Sequence, residues 1–465
     1  MTSNTTIAAI STAPGIGGIA VVRVSGSESI PICARVFESK RTAFNLLNAQ
    51  ANRLYVGAFV SLQREIIDEV VIAVYRAPHS FTGDDVVEIS CHGSIFIQQR
   101  ILQVLIDAGC RLATAGEFTQ RAFFNGKMDL SQAEAVADLI ASSSAAAHRM
   151  AMTQMRGGFS SELMALRTSL LDFVSLIELE LDFSEEDVEF ANREHLKTLA
   201  AEISSTIQRL TASFSVGNAL KHGIPVALVG ETNVGKSTLL NALLNEEKSI
   251  VSEIHGTTRD VIEDQIIIKG IAFRFIDTAG IRNTTDTIES LGIERTYQKI
   301  EQAAIVLWLM DSTQISEHLE WLTERIQKRA ANKKVILVFN KTDKIEAEEQ
   351  QVLYNLFESY NTERISISAK NRLHLNELED ALIRAANLPE VLPGDVLVSN
   401  VRHYEALRLA LGSISRVESG LDQGISGDFI AQDLRECMHF LGEITGQISN
   451  DEILANIFGK FCIGK

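Results

Sequence analysis

The run GETNVGKS, Gly230 to Ser237, sets two glycines around four residues and follows them with a lysine and a hydroxyl. It fits G-x-x-x-x-G-K-[ST], and it stands between apolar VALV (Val226 to Val229) and apolar TLLNALL, so a strand, a turn and a helix are expected in that order. Backbone N–H groups from Gly230 through Asn233, Val234 and Gly235, with the helix start at Lys236, Ser237 and Thr238, can surround phosphate oxygens. Lys236 would bring its charge to the β- and γ-phosphates, and the Ser237 hydroxyl would ligate Mg²⁺.

Four more short motifs follow, each after an expected strand. In HGTTRD, Thr258 can reach Mg²⁺ and the γ-phosphate, and the loop around it (Ser252, Glu253, Ile254, His255, Gly256, Thr257) is expected against the nucleotide. DTAG (Asp277, Thr278, Ala279, Gly280) ends the strand FRFID, which puts a carboxylate at a strand's C-terminal end. NKTD follows VILVF, with Asn340 and Lys341 leading to Asp343, whose carboxylate can accept from N1–H and N2–H₂ of guanine. SAK (Ser368, Ala369, Lys370) ends ISIS and can complete the base pocket with backbone N–H. Taken in this order, the motifs predict a GTP site. Hydrolysis requires a positioned water, and the place after DTAG that holds glutamine in Ras-like GTPases holds Ile281. Asp286 and Glu289 are the polar candidates nearby, against the plainer reading of a solvated helix face. Asn233 either shapes the turn or lends its side-chain oxygen to a monovalent cation beside the phosphates.

The elements that must position these groups divide the chain. The first ~118 residues carry short β-rich runs such as GIAVVRVSG and EVVIAVYRA. Phe159 to Val216 contains neither glycine nor proline and reads as long amphipathic helix in a bundle. Strands and helices alternate from Ile224 to about Leu388, as in a parallel α/β sheet, and helix returns after LPEVLPGD. The expected architecture is multidomain α/β plus α. Residues 1–118 form an α+β domain, 119–222 with 388–465 a helical domain, and 223–387 an inserted Ras-like P-loop domain. The 465 residues are 46% hydrophobic and 22% charged, as in ordinary globular proteins. Five cysteines at no CxxC spacing, no basic apolar leader and no membrane-length apolar run predict a reduced, cytoplasmic chain without disulfides or zinc. A net charge of −17, from 43 Lys+Arg against 60 Asp+Glu, argues against broad nonspecific nucleic-acid affinity. An RNA partner would need a local basic patch or a second protein.

The nucleotide motifs, SFTGDDVVEI, KMDLSQAEAVADLI, LGIER and the FCIGK run at residues 461–465 together resemble the MnmE (TrmE) family of bacterial tRNA-modification GTPases. The resemblance spans essentially the whole chain. It implies an N-terminal domain like tetrahydrofolate-binding proteins, a helical domain and an inserted G domain, with homodimerisation through the N-terminal domain. It also implies activation by K⁺ when G domains meet. Position by position, the K⁺ contacts fall on Asn233, Ser252, Ile254 and Thr257, and the Mg²⁺ ligands on Ser237 and Thr258. The family's catalytic glutamate, acting through water, falls on Glu289. Contacts to a reduced folate (5-formyl- or 5,10-methylene-tetrahydrofolate) fall on Arg23, Glu88, Lys127 and Lys465. The implied activity adds a carboxymethylaminomethyl or aminomethyl group at C5 of wobble uridine 34 in certain tRNAs. It does so with an FAD- and NADH-dependent MnmG-type partner, in a heterotetramer. The sequence departs from the family at Thr232, where proline is usual, at Asn283, where an acid is usual, and at Ser252, where threonine is commoner.

FCIGK raises its own question. Cys462 stands fourth from the end as in a prenylation box, but Gly464 and Lys465 do not fit the rest of that signal. The other readings are a thiol buried as a small hydrophobe and, from the resemblance, a tail beside the folate site with Cys462 facing the reaction cavity. Two competing functions are a ribosome-assembly GTPase that binds rRNA and a folate-dependent transferase whose G domain is idle. The first lacks a visible basic RNA-binding domain here, and the intact Mg²⁺, phosphate and guanine positions oppose the second.

Overall fold

The computed structural model describes residues 5–40, 44–182, 193–244, 264–276, 298–314, 333–358, 362–389, 392, 394–448 and 451–464. Chain contacts divide it into two compact units, one of residues 1–137, 154–200 and 412–465, the other of residues 138–153 and 201–411. The described helices, in chain order, are α1 (Ser29–Arg35), α2 (Ile95–Asp107), α3 (Glu117–Phe124), α4 (Leu130–Ala141), α5 (Ala145–Met155), α6 (Gly158–Asp182) and α7 (Arg193–Ala212). They continue with α8 (Phe214–His222), α9 (Lys236–Leu244), α10 (Ala347–Leu356), α11 (Leu375–Ala386), α12 (Val401–Gln423), α13 (Gly427–Thr445) and α14 (Asp451–Phe458).

The first unit is built on strands β1 (Ile7–Ile10), β2 (Ile19–Ser25), β3 (Phe37–Ser39), β4 (Arg53–Val60), β5 (Ile66–Tyr75), β6 (Val86–His92) and β7 (Arg111–Leu112). They form one sheet in the order β3-β4-β5-β6-β2-β1-β7, antiparallel except for the β1–β7 pair. Alternation in AVVRVS sends Ala20, Val22 and Val24 to one face, where they are buried with Ile72, Val74, Val87 and Ile89 beneath α1 and α2. The other face receives Arg23 opposite Glu88, and the same register brings Ala9 against Arg23 and Ala73 against Glu88. In the helical part of this unit, α6 buries Leu163, Leu166, Leu170, Phe173 and Ile177, and α13 buries Ile430, Leu434, Cys437, Leu441 and Ile444. Both sets recur at threes and fours, which is one stripe of a helix, and α6 packs on α13. The glycine- and proline-free stretch is thus two described helices, α6 and α7, with α8 beginning at Phe214.

In the second unit β8 (Ile224–Val229), β9 (Asp264–Ile268), β10 (Ile271–Phe275), β11 (Ile305–Asp311), β12 (Lys334–Asn340) and β13 (Glu363–Ser366) form a sheet in the order β13-β12-β11-β8-β10-β9. All pairs are parallel except the β9–β10 hairpin. β11 is buried along its whole length, as expected of a parallel strand with helices on both faces. One face packs on α9 and α11, the other on Leu353 and Phe357 of the α10 region together with Ile300. Because the strands run parallel, the C-terminal ends of β8, β11, β12 and β13 meet along one edge. Open α/β sheets bind ligands outside that edge.

Candidate functional site

The turn after β8 is shaped by backbone that excludes side chains. Gly230 has φ +157° and Gly235 φ +99°. A Cβ at Gly230 would lie 2.3 Å from the Leu309 carbonyl oxygen, and one at Gly235 2.3 Å from Asn340 Nδ2. Glycine is therefore required by close approach at both positions. Asn233 sits between them at φ +64°, a conformation asparagine tolerates. The Lys236 ammonium donates to the carbonyls of Gly230 (2.8 Å) and Glu231 (2.6 Å), so it lies across the turn. Burial lowers its pKa and nearby Lys299 lowers it further, against the pull of Glu231. Ser237 and Thr238 follow in the first turn of α9.

Asn340, at the end of β12 and 3% exposed, joins three loops. Its Nδ2 donates to the Val234 carbonyl (2.7 Å), and its Oδ1 accepts from the Ala369 N–H (3.0 Å). Lys341 next to it, at φ +66°, donates to the Asn233 carbonyl (2.9 Å) and to Asp311 at the end of β11. Burial acts to raise the Asp311 pKa, but hydrogen bonds from Lys341 and Thr313 outweigh it and the net shift is downward. The Ser368 hydroxyl donates to Asp343 Oδ1 (2.6 Å) and lowers that carboxyl's pKa. Asp343 is otherwise exposed, as is Lys370. The edge thus presents a positive, N–H-lined turn beside an ionised carboxylate with free lone pairs, the complement of a phosphate chain and of a base edge carrying two donors.

A second cluster lies on the first unit's open sheet face. Arg23 pairs with Glu88 at 2.8 Å, both side chains being about one-quarter exposed or less. The guanidinium carbon lies 5.3 Å from the centre of the Phe81 ring and 5.6 Å from that of Phe118, within cation–π range. The phenol of Tyr75 belongs to the same surroundings, its pKa raised by burial and by Glu88 and lowered by Arg23. Phe81 rides on a loop held firmly in place. Asn125 donates to the Thr82 carbonyl (2.8 Å) and Asp84 (3.0 Å), and the hydroxyls of Ser25 and Thr82 are 2.8 Å apart. Lys127 is exposed and donates to the Pro78 carbonyl (3.0 Å) of this loop. The cluster offers a carboxylate acceptor, a cation and aromatic faces at one place.

Phe461 to Gly464 reaches the same domain. Ile463 bridges antiparallel to Ala115, the Gly116 N–H donates to the Cys462 carbonyl (3.4 Å), and the Ser11 hydroxyl donates to the Gly464 carbonyl (3.0 Å). Cys462 itself is exposed, unlike the other four cysteines, which settles the buried-thiol reading against it.

The MnmE helical domain family matches residues 130–462, and the GTP-binding protein TrmE N-terminus family matches residues 6–127. The tRNA modification GTPase MnmE of Bacteroides thetaiotaomicron is 59% identical over 463 residues, covering 99% of this chain and 99% of the relative. That of Parabacteroides distasonis is 57% identical over 461 residues, covering 99% of this chain and all of the relative. This chain belongs to the MnmE family of tRNA modification GTPases. Membership makes it a GTP hydrolase. Among solved structures, Era in complex with MgGDPNP and a segment of 16S ribosomal RNA matches 41% of this chain and 66% of that chain at 32% identity, with a TM-score of 0.28.

Several positions singled out in this MnmE-family sequence fall outside the described residues. They are Ser252, Glu253, Ile254, His255, Gly256, Thr257, Thr258, Asp277, Thr278, Ala279, Gly280, Asp286, Glu289 and Lys465. The described positions of the phosphate turn, NKTD and SAK come together on one sheet edge, whereas Lys127 touches neither Arg23 nor Glu88 directly in any hydrogen bond described. Sequence reasoning missed Asp311, the anchor of Lys341; its signal was a carboxylate ending the apolar run IVLWLMD. It also missed Phe81, Phe118 and Tyr75, for which the sequence carries no periodic signal.

Proposed function

We propose that this chain is a K⁺-activated GTPase that modifies tRNA. It would act with an FAD/NADH-dependent MnmG-type partner to add a carboxymethylaminomethyl or aminomethyl group at C5 of wobble uridine 34, using a one-carbon unit of reduced folate. One observation carries the reading. A chain collinear with relatives named for tRNA modification holds both a nucleotide-shaped strand edge and an arginine–carboxylate pair under aromatic rings.

In this reading Gly230, Asn233, Val234, Gly235, Lys236, Ser237 and Thr238 surround the phosphates. The tightness of the turn supports this, since a Cβ at Gly230 would meet the Leu309 carbonyl and one at Gly235 the Asn340 amide, so the turn can keep its shape with glycine at both places. Asn340 fixes the turn against Ala369, while Lys341 with Asp311 fixes it from beside. Asp343, kept ionised and aimed by Ser368, accepts from guanine, and Lys370 flanks the base. Mg²⁺, held by Ser237 and Thr258, and K⁺, held by Asn233 with Ser252, Ile254 and Thr257, would neutralise charge developing on the phosphates. Glu289 is the proposed base, through water; with Ser252 to Thr258 and Asp277 to Gly280 it lies outside the described residues. GTP hydrolysis would gate the modification by changing the distance between G domains of a homodimer.

Glu88 suits a heterocycle edge that presents donors, and Arg23, Lys127 and Lys465 suit the anionic tail of a folate. Cys462 stands near as a group of unassigned chemistry. The proposed domains are residues 1–118, 119–222 with 388–465, and 223–387. Homodimerisation through the N-terminal domain is supported by apolar side chains left open on its sheet, Ile19, Leu54, Val56 and Ile66. A cytoplasmic setting fits the tRNA substrate; among the described residues no helix is long and apolar enough to cross a membrane. The test is nucleoside analysis of tRNA incubated with this chain, an MnmG-type partner, GTP, K⁺ and 5,10-methylene-tetrahydrofolate. Modified uridine 34 is expected, and unmodified tRNA with both proteins active would overturn the reading.

A further inference from the structure

The β9–β10 hairpin stands, in sequence, between two nucleotide motifs. β9 starts at Asp264, just after HGTTRD and its neighbours, and β10 ends at Phe275, just before DTAG. The strands pair from Asp264 with Phe275 to Ile268 with Ile271, and β10 also pairs with β8, which leads into the phosphate turn. At the far end, about 17 Å along the strands from Asp264, the turn is Lys269 and Gly270, with φ +49° and +82°. That turn is docked on helices. The Ala146 N–H, in the first turn of α5, donates to the Gly270 carbonyl (3.3 Å), and the Ser144 hydroxyl accepts from the next N–H, that of Ala147 (3.1 Å). The first N–H groups of a helix have no partner within it, so Ser144 and the hairpin turn share the capping of α5. Ile271 packs with Ala146 and Met150 of α5 and with Leu220 of α8. The Ser143 hydroxyl donates to Gln265 Oε1 on β9 (3.2 Å). The receiving helices are themselves tied, since Asp138 of α4 pairs with Lys221 of α8 at 2.7 Å, both side chains mostly buried.

We propose that the first turn of α5 reads the nucleotide state through the β9–β10 hairpin whose turn caps it. In GTPases the γ-phosphate orders or releases nearby segments, and here such motifs adjoin both ends of one hairpin. Two strands paired along their whole length move as one piece, because sliding one past the other would break the bonds between them together. β9 is an edge strand with β10 as its one neighbour, so less of the sheet resists a shift there. A displacement at the Asp264 and Phe275 end is therefore carried to Lys269 and Gly270. It arrives at a single carbonyl 3.3 Å from its donor, already at the long end of hydrogen-bond geometry, where a few tenths of an ångström decide whether the bond exists. α5 itself ends on other partners. The Met155 carbonyl accepts from Gln132 Nε2 (3.2 Å), and buried Gln154 donates to the Ser131 carbonyl (3.1 Å). The helix that the hairpin caps is thus the one that braces the first turn of α4. The proposal rests on GTP binding and hydrolysis alone and is independent of the folate reading.

Hydrogen exchange of the full chain in K⁺, with GDP and with GDPNP, tests this on peptides covering the start of α5. The parent would be compared with Ala146→Pro, Gln265→Ala and Lys269→Ala, with thermal melts to confirm folding and GTP hydrolysis measured on the same samples. In the parent, exchange at the start of α5 is expected to differ between the two nucleotides on the order of fivefold, the worth of one hydrogen bond. Ala146→Pro deletes the donor to Gly270 at a place where helices accept proline, and Gln265→Ala removes the bond to Ser143. Both are expected to shrink the difference to under about twofold while hydrolysis stays within about twofold of the parent. Lys269→Ala severs the exposed pair with Asp380 of α11 (2.5 Å) on the hairpin's other side, and is expected to keep the parent's difference. Equal exchange in the two nucleotide states of the parent would overturn the proposal and leave the docking as a static contact. A difference that persists in both Ala146→Pro and Gln265→Ala would overturn the hairpin as its route. Loss of hydrolysis in a folded Gln265→Ala protein would overturn the separation of this contact from the catalytic machinery.

Discussion

Asn340→Ala removes a buried side chain that ties the phosphate turn to the loop at Ala369. Its amide donates a 2.7 Å bond to the Val234 carbonyl and accepts a 3.0 Å bond from the Ala369 N–H, both buried. Alanine leaves those two backbone groups without their partner, at about 1–3 kcal/mol each, so the unit is expected to lose about 2–5 kcal/mol of stability. Nucleotide binding would then have to reorder both loops, and since 1.4 kcal/mol is tenfold, affinity should fall at least about tenfold. Asn340→Asp is the sharper perturbation. It keeps an acceptor for Ala369 but turns an anionic oxygen toward the Val234 carbonyl, so it should rescue neither stability nor affinity. Fluorescent GDP titration and thermal melting measure the two effects on the same samples. An Asn340→Ala protein that melts like the parent and binds within about twofold of it would show that Asn340 does not hold the two loops together.

Other expectations follow from burial and charge. A thiol reagent should find one reactive cysteine, Cys462, in the native protein and five after denaturation, because burial pushes Cys91 up to about 11 and Cys110 and Cys437 up to about 12. More than one fast native thiol would contradict the packing of these residues. For Glu117, burial acts to raise the pKa, but hydrogen bonds from Arg111, the Thr114 N–H and Arg121 outweigh it and hold it down to about 2. A depressed carboxyl stabilises the fold above its unfolded value and loses that contribution as pH falls through its folded value. Glu117→Gln should therefore destabilise by about 2–3 kcal/mol at neutral pH, a penalty that shrinks between about pH 4.5 and pH 2 in urea titrations. A penalty constant across that range would show that shape rather than charge matters there. Gly235→Ala should abolish nucleotide binding as read by the same fluorescent titration, since its Cβ would lie 2.3 Å from Asn340 Nδ2; parent-like affinity would contradict the required close approach.

What the sequence made legible follows from what local chain geometry can encode. Gly230 and Gly235 announce themselves because their backbone angles and neighbours forbid anything else. The strand before them, β8, and the buried β11 are near-continuous apolar stretches, which parallel burial demands. Asp311 was hidden because its meaning depends on Lys341, 30 positions on, and on two parallel strands ending level. The Arg23–Glu88 pair spans 65 positions and two antiparallel strands whose register nothing local states, so only the family resemblance pointed to it. Nothing local in the sequence joins Phe81 to Phe118, and their shared position against one guanidinium is a tertiary fact. The anchoring of Gly464 depends likewise on Ser11, 453 positions away.

The most direct test is the rate of GTP hydrolysis by the purified chain in K⁺ and in Na⁺ at equal ionic strength, beside an Asn233→Ala variant. Hydrolysis is expected to be faster in K⁺ on the order of tenfold or more, with that advantage lost in the variant. Equal rates in the two salts, or a variant that keeps the full K⁺ response, would contradict it.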